Sequence, residues 1–324
     1  MFDSPSEMWG VMIGLYLFLG GLSGGAYVTG FAADYLRTRN DSNADAYGMT
    51  ARWGMVIAFA AIAVGGLILL FHLGAPENVI YLWLFTNTAS WMAIGVWVIV
   101  LFVLLALIQA LWLGFGRDGG FDISAGPIDR IADATRPETT TRLAINGIGA
   151  LVALTLIVYT ALLLSAVAPV VPLWHPILLP LLFLTSGLSM GICATVAVTA
   201  LRKGVHGTGV HEFSLADDVV ILGELGVLGG LLWYLSGQTG AAAESYELLT
   251  QTFALEFWGI VVGLGLIVPL VISGAILGLE RRDGFTLEGG TGTAVYTVKF
   301  GLVIIGGLFL RLSVLFASIN VPLV

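Results

Sequence analysis

Eight apolar runs, most of them about 20 residues or longer, fill the sequence, and that length matches the ~30 Å hydrocarbon core of a bilayer at 1.5 Å of helical rise per residue. The runs fall near 11–33, 54–73, 89–113, 144–168, 177–201, 216–236, 253–279 and 294–318. Backbone amides have no water to bond inside lipid, so spanning segments are helices or closed barrels. A barrel strand shows about ten residues of strict alternation, and no run here has that pattern. The expectation is an all-α integral membrane protein with eight transmembrane helices. Only 10% of residues are charged, against roughly 25% in soluble domains.

Charge gives the bundle a direction. The first, third, fifth and seventh connections hold twelve of the 13 basic residues, the thirteenth being Arg311 inside the last run, while the second, fourth and sixth hold none. By the positive-inside rule the odd connections are cytoplasmic, which places both termini on the outer face of the cell membrane. The segment before the first run carries Asp3 and Glu7 but no Lys or Arg. It is unlike the basic start of a cleaved signal peptide, so the first helix is expected to stay. The longest connection, 114–143, is rich in Gly, Asp and Thr with Pro127 and Pro137, and reads as a loop with one short interfacial helix. Two four-helix bundles are expected, 1–168 including that loop and 169–324. Pro269 is expected to kink the seventh helix.

Several chemistries are excluded. Cys193 is the only cysteine, which rules out an internal disulfide, a CxxC pair and any iron–sulfur cluster ligated by this chain alone. A formal net charge of -8 leaves no basic stripe for nucleic acid. The four histidines are His72 and His175 toward the outer side, and His206 and His211 in a cytoplasmic connection. A six-coordinate transmembrane haem needs two axial ligands on facing helices, so at most one haem is served, and none is expected.

The residues that carry chemistry are few. His72 ends the second helix before Gly74 and Pro76, where an imidazole exchanges protons with water or simply bonds a loop carbonyl. Tyr159 is the one clear donor in the apolar outer half of the fourth helix, suited to a ligand or to a structural bond. Gly20-Gly21-Leu22-Ser23-Gly24-Gly25-Ala26 gives the first helix a small-residue face for close packing. Glu224, Glu256, Lys299 and Arg311 are charges within spans, each costly and each a candidate for ion pairing or proton conduction. Depth suggests Glu256 with Arg311 and Glu224 with Lys299.

The sequence resembles the NrfD/PsrC family, the quinone-reactive membrane subunits of polysulfide reductase-like respiratory complexes. Leu15 to Ala26, His72-Leu73-Gly74 with Pro76, Ser90-Trp91-Met92, Tyr159 to Ser165, Pro172 to Pro176 and Leu181 to Gly187 carry the likeness, in order, over about the first 190 residues. Ala75 stands where many relatives have Arg. The resemblance implies an anchor subunit, not catalytic alone, that binds menaquinone or ubiquinone near the outer face. It also implies a ferredoxin-like four-cluster iron–sulfur subunit and a molybdopterin catalytic subunit as partners, with no haem or iron–sulfur cluster on this chain. His72 and Tyr159 become the quinone-site candidates, with Glu7 and Trp9 the nearest polar groups at the start of the first helix. The competing reading is an ion or solute transporter built on Glu224, Glu256 and Arg311.

Overall fold

The computed structural model describes residues 5–39, 43–72, 91–117, 119–121, 126–205, 208–283 and 289–319, with the side chains of 5–9, 72 and 280–283 outside the description. Among these residues the chain is helical and forms no strand: α1 (Pro5–Arg37), α2 (Ala44–His72), α3 (Trp91–Gly114), α4 (Pro127–Thr135), α5 (Thr139–Ser165), α6 (Leu178–Lys203), α7 (Val210–Ser236), α8 (Ala241–Glu247), two π-helical stretches (Leu248–Thr252 and Leu255–Ile267), α9 (Val268–Asp283) and α10 (Gly289–Phe316). Eight of the described helices are long and apolar enough to cross a membrane, the seventh running from Leu255 to Leu279 through the second π-helical stretch and into α9. The fold is an all-α, multi-pass membrane architecture.

Helix α1 lies at the centre, packing against α2, α5, α6 and α10. Its glycine-rich face is the reason. A Cβ at Gly25 would collide with the Gly187 backbone of α6, and one at Gly54 of α2 would lie 2.7 Å from the Cα of Gly30. Small residues let helix backbones approach until dispersion contacts and carbonyl dipoles hold them, in a solvent that offers no hydrophobic drive between helices. The contacts of α1 with α6 and α10 run across residue 168, so the two halves of the protein share one central helix.

Helix α4 is the short helix expected in the long connection. Pro127 stands at its start, where the missing N–H costs nothing. It is tied to the end of α3 by Trp112 Nε1 donating to Thr135 Oγ1 at 3.0 Å and by the Gly116 amide donating to Asp129 at 3.0 Å. Around Pro269 the helix changes its winding. The turns just before it, Leu255–Ile267, are wide π-helical turns, and regular α-helix starts at Val268. Proline lacks the amide that an α-helix needs at that place, and widened turns are one way to seat its ring. Close packing of Gly265 on Gly306 of α10 accompanies those turns.

Candidate functional site

Two sets of buried polar side chains stand out. The first lies in the first four spans, at the end opposite the basic connections. Tyr159 of α5 is 5% exposed and turns its ring onto α3, where a Cβ at Gly95 would clash with the phenol. Tyr16 of α1 is 1% exposed and packs on α2 at Gly65. The two phenols are near enough to interact electrostatically. Tyr16 Oη has no hydrogen-bond partner among the described residues. A buried hydroxyl without a partner loses its hydration for nothing, so such a group marks either a cost or a place for a ligand. Of the other expected site residues, Glu7 and Trp9 lie in α1 before a break at Gly10 (φ 57°), and His72 closes α2. The side chains of all three, and the segment 73–90 that follows, lie outside the described residues.

The second set forms a column along α6, α7, α9 and α10. Lys299, fully buried, donates to Asp218 at 2.7 Å and to the hydroxyls of Ser214 and Ser273, each at 2.6 Å. The adjacent Asp217 faces α6 instead, accepting from Ser189 Oγ at 2.6 Å and from Cys193 Sγ at 3.3 Å. Two turns further along α7, the carboxylate of Glu224 bonds Ser186, whose oxygen also accepts from Arg311 Nη1 at 2.9 Å. Arg311 donates further to Gly307 O at 2.8 Å and Leu17 O at 3.3 Å, and its guanidinium lies over the Phe183 ring. Near the other end of the column, His211 Nδ1 and the Tyr296 hydroxyl share a bond at 3.0 Å.

Both pairings expected from depth are corrected. Arg311 meets Glu224 through Ser186, not Glu256, and Lys299 meets Asp218, not Glu224. Equal depth in the membrane is not enough, because azimuth around each helix decides which charges face. Glu256 is half-buried at the start of the π-helical stretch and has no ion pair among the described residues. Asp217 and Asp218 escape a hydropathy reading because they stand at the very start of the sixth apolar run, where acids pass for a solvated helix end. Helix α7 starts earlier, at Val210, and carries both acids two turns into the interior. The available signal is that no Gly or Pro stop separates them from the residues before.

The same displacement of helix ends hides a third centre, where Arg142 of α5 bonds Asp34 of α1 at 2.5 and 3.0 Å and Asn146 joins at 3.1 Å. Asp34 is fully buried, and Arg37 also reaches it at 3.4 Å. His175 caps α6, its Nδ1 accepting from the amides of Ile177 and Leu178 at 3.2 Å. Among the described residues no three His, Cys, Asp or Glu side chains converge as a metal site.

The model of the family described as "Polysulphide reductase, NrfD" matches residues 1–322. The protein belongs to this family. The C subunit of polysulfide reductase from Wolinella succinogenes is 32% identical over 324 residues, covering 96% of this sequence and 94% of the relative. Protein NrfD of Escherichia coli is 28% identical over 330 residues, 98% of this sequence and 96% of the relative. The NrfD homologue of Haemophilus influenzae is 27% identical over 286 residues, 83% of this sequence and 84% of the relative. As an NrfD-family protein with eight apolar helices, it is a multi-pass membrane subunit of a respiratory oxidoreductase. The likeness covers the second half of the sequence as well as the first, which the motifs alone do not reach.

Proposed function

We propose that this NrfD-family subunit binds menaquinone or ubiquinone at the tyrosine end of its first four helices and exchanges electrons with an iron–sulfur partner. The observation that carries the reading is the unpartnered Tyr16 Oη, buried beside Tyr159 in an apolar setting suited to a quinone ring. A bound quinone supplies two-electron, two-proton redox chemistry there. The residues of this subunit hold and orient its carbonyls and handle its protons: Tyr16 and Tyr159 as hydrogen-bond donors, and His72 as the group of near-neutral basicity at the helix end. Glu7 and Trp9, at the start of α1, complete the proposed site. Gly95 keeps the space that Tyr159 needs.

The partners in this reading are a ferredoxin-like four-cluster iron–sulfur subunit and, through it, a molybdopterin catalytic subunit. The complex lies in the cytoplasmic membrane with both termini of this subunit outside, as the distribution of Arg and Lys suggests. The test uses the purified complex. Bound quinone is extracted and counted, and quinol oxidation or quinone reduction is assayed for His72→Ala and Tyr159→Phe. Loss of turnover with retained assembly is expected. A complex that holds no quinone, or one in which both variants keep full turnover, overturns the site.

A second reading of the same protein rests on the column. Buried charges linked by hydroxyls are the arrangement that proton transfer across a membrane requires. In this reading Glu224, Lys299 and Arg311 form a proton path, extended by Asp217 and Asp218. None of the column's hydrogen bonds reaches Glu256, which the proposed path therefore omits. Proton movement per electron, measured in vesicles, should fall in Glu224→Gln more than electron flow does. Equal loss of both, or of neither, argues against it.

A further inference from the structure

Where the ends of α1 and α3 meet the start of α5, on the face that carries the basic connections, a cleft of about 420 Å³ opens beside α4. Arg37, Trp112, Asp133, Glu138, Thr139 and Arg142 are among its walls. None of them belongs to the tyrosine end or to the charged column.

The charges of the cleft are sorted by position. Asp34, just behind it, is a single carboxylate facing two guanidiniums, Arg142 at 2.5 Å and Arg37 at 3.4 Å, so the floor keeps a positive excess. Arg37 is 30% exposed in its side chain and offers that excess to the cleft. The first turn of α5 adds to it. Glu138, at the N-cap position, makes no side-chain capping bond, and no acid occupies the first turn, so amides at the head of a 27-residue helix stay available to an oxyanion. The rim has the opposite sign: Asp133 is answered by Arg136 at 3.9 Å, which leaves the exposed Glu138 as the rim's unanswered charge among the described residues. A cleft with a cationic floor and an anionic rim matches a ligand that carries both charges a few ångströms apart.

The short helix beside it says where that ligand comes from. Helix α4 exposes Ile128 (42%) and Ile131 (54%), while Asp129, Arg130 and Asp133 lie between or beyond them. Such a helix rests in the plane of the lipid headgroups, its apolar residues facing the acyl chains. The cleft therefore opens at headgroup level, with Trp112 and Leu113 of α3 as an apolar wall.

We propose that this cleft binds the headgroup of a phospholipid carrying a phosphodiester and a primary ammonium. The phosphate lies toward Arg37 and the start of α5, and the ammonium toward Glu138. A primary ammonium donates hydrogen bonds to carboxylates; a quaternary choline has no N–H to donate, and a glycerol headgroup brings Glu138 no cation. Free phosphate shares only the anionic half.

The test takes the delipidated complex in detergent and measures retention of phosphatidylethanolamine, phosphatidylcholine and phosphatidylglycerol with identical acyl chains, by native mass spectrometry. Inorganic phosphate is the competitor. Phosphatidylethanolamine should bind about fivefold more tightly than phosphatidylcholine, the scale of one charge contact at a membrane surface. Glu138→Gln should erase that preference while phosphatidylcholine binding stays, and Arg37→Gln should weaken both lipids. Both side chains are at least partly exposed, so the variants should assemble, and quinone turnover should not change. Equal retention of the three lipids by the unaltered complex overturns the proposal. So does a preference that survives both substitutions, or displacement of the lipid by inorganic phosphate, which would mark a plain anion site.

Discussion

The tyrosine end of the first four helices and the charged column of the last four bury polar groups under opposite rules. In the column every full charge has at least one partner: Lys299 has Asp218 and two serines, Asp217 has Ser189 and Cys193, and Glu224 has Ser186 with Arg311 beyond it, although Arg311 Nη2 itself makes no hydrogen bond among the described residues. At the tyrosine end the groups are neutral and one of them, Tyr16 Oη, is left open among the described residues. The difference follows from cost. An unpaired ion in a low-dielectric interior carries a penalty of several kcal/mol, whereas an unpaired hydroxyl costs roughly 1–3 kcal/mol. A neutral group is the cheaper one to keep waiting for a ligand. Each ion of the column needs at least one partner before the helices pack.

The largest expected effect tests that need for a partner. Asp218→Ala leaves Lys299 buried with no carboxylate bonded to it, only the hydroxyls of Ser214 and Ser273 and the Ser214 carbonyl, and breaking such a pair costs about 3–5 kcal/mol. Thermal unfolding of the complex, followed by tryptophan fluorescence, should show a large drop. The double variant Asp218→Leu with Lys299→Leu should recover much of it. If the single change is silent, the column is not held together by charge and the contrast fails.

Tyr159→Phe should act at the other end with the reverse profile. Loss of one donor to a quinone carbonyl is expected to lower turnover about tenfold or more, while the melting temperature moves little. Gly95→Ala should mimic it by forcing the ring aside, since the new methyl group falls on the phenol. A Tyr159→Phe complex that melts early and still turns over normally would make Tyr159 a structural residue.

Legibility in the sequence differs between the two regions. Helix number and position follow from hydrophobic length, and His72 and Tyr159 are conspicuous because each is a polar group in an apolar setting. The column is only half visible. Glu224, Lys299 and Arg311 interrupt apolar runs, but Asp217, Asp218, Asp34 and Arg142 fall where hydropathy drops and a run reads as ending. Helices α1, α5 and α7 continue through those charges because the ion pairs offset the desolvation. Pairing is not legible at all, because it depends on helix rotation and on wide turns such as Leu255–Ile267. Tyr16 escapes notice for a simpler reason: it sits in a motif whose glycines already have a packing role.

Glu224→Gln bears on how the two regions communicate, with a moderate effect. Arg311 touches both sides, donating to Leu17 O on α1 and to Ser186 beside Glu224. If the column carries protons, proton movement per electron falls while quinone turnover is largely kept. If turnover and proton movement fall together, Arg311 transmits a structural change to α1 and the regions are not separable.

The smallest effect is the sharpest in sign. Tyr16→Phe deletes a hydroxyl that has no partner among the described residues and keeps the ring that packs on Gly65. If the hydroxyl is simply a buried cost, removing it leaves stability unchanged or raises it by up to about 1 kcal/mol, with turnover unaffected. If it is held open for a quinone, the ligand-free complex is equally or more stable, but quinone affinity falls and the stabilisation that added quinone gives shrinks. Measuring the melting temperature with and without quinone separates the two, because only the second outcome changes the difference between the two curves. A loss of stability in the ligand-free complex would mean that the hydroxyl already has a partner, and the tyrosine end would then follow the same rule as the ions of the column.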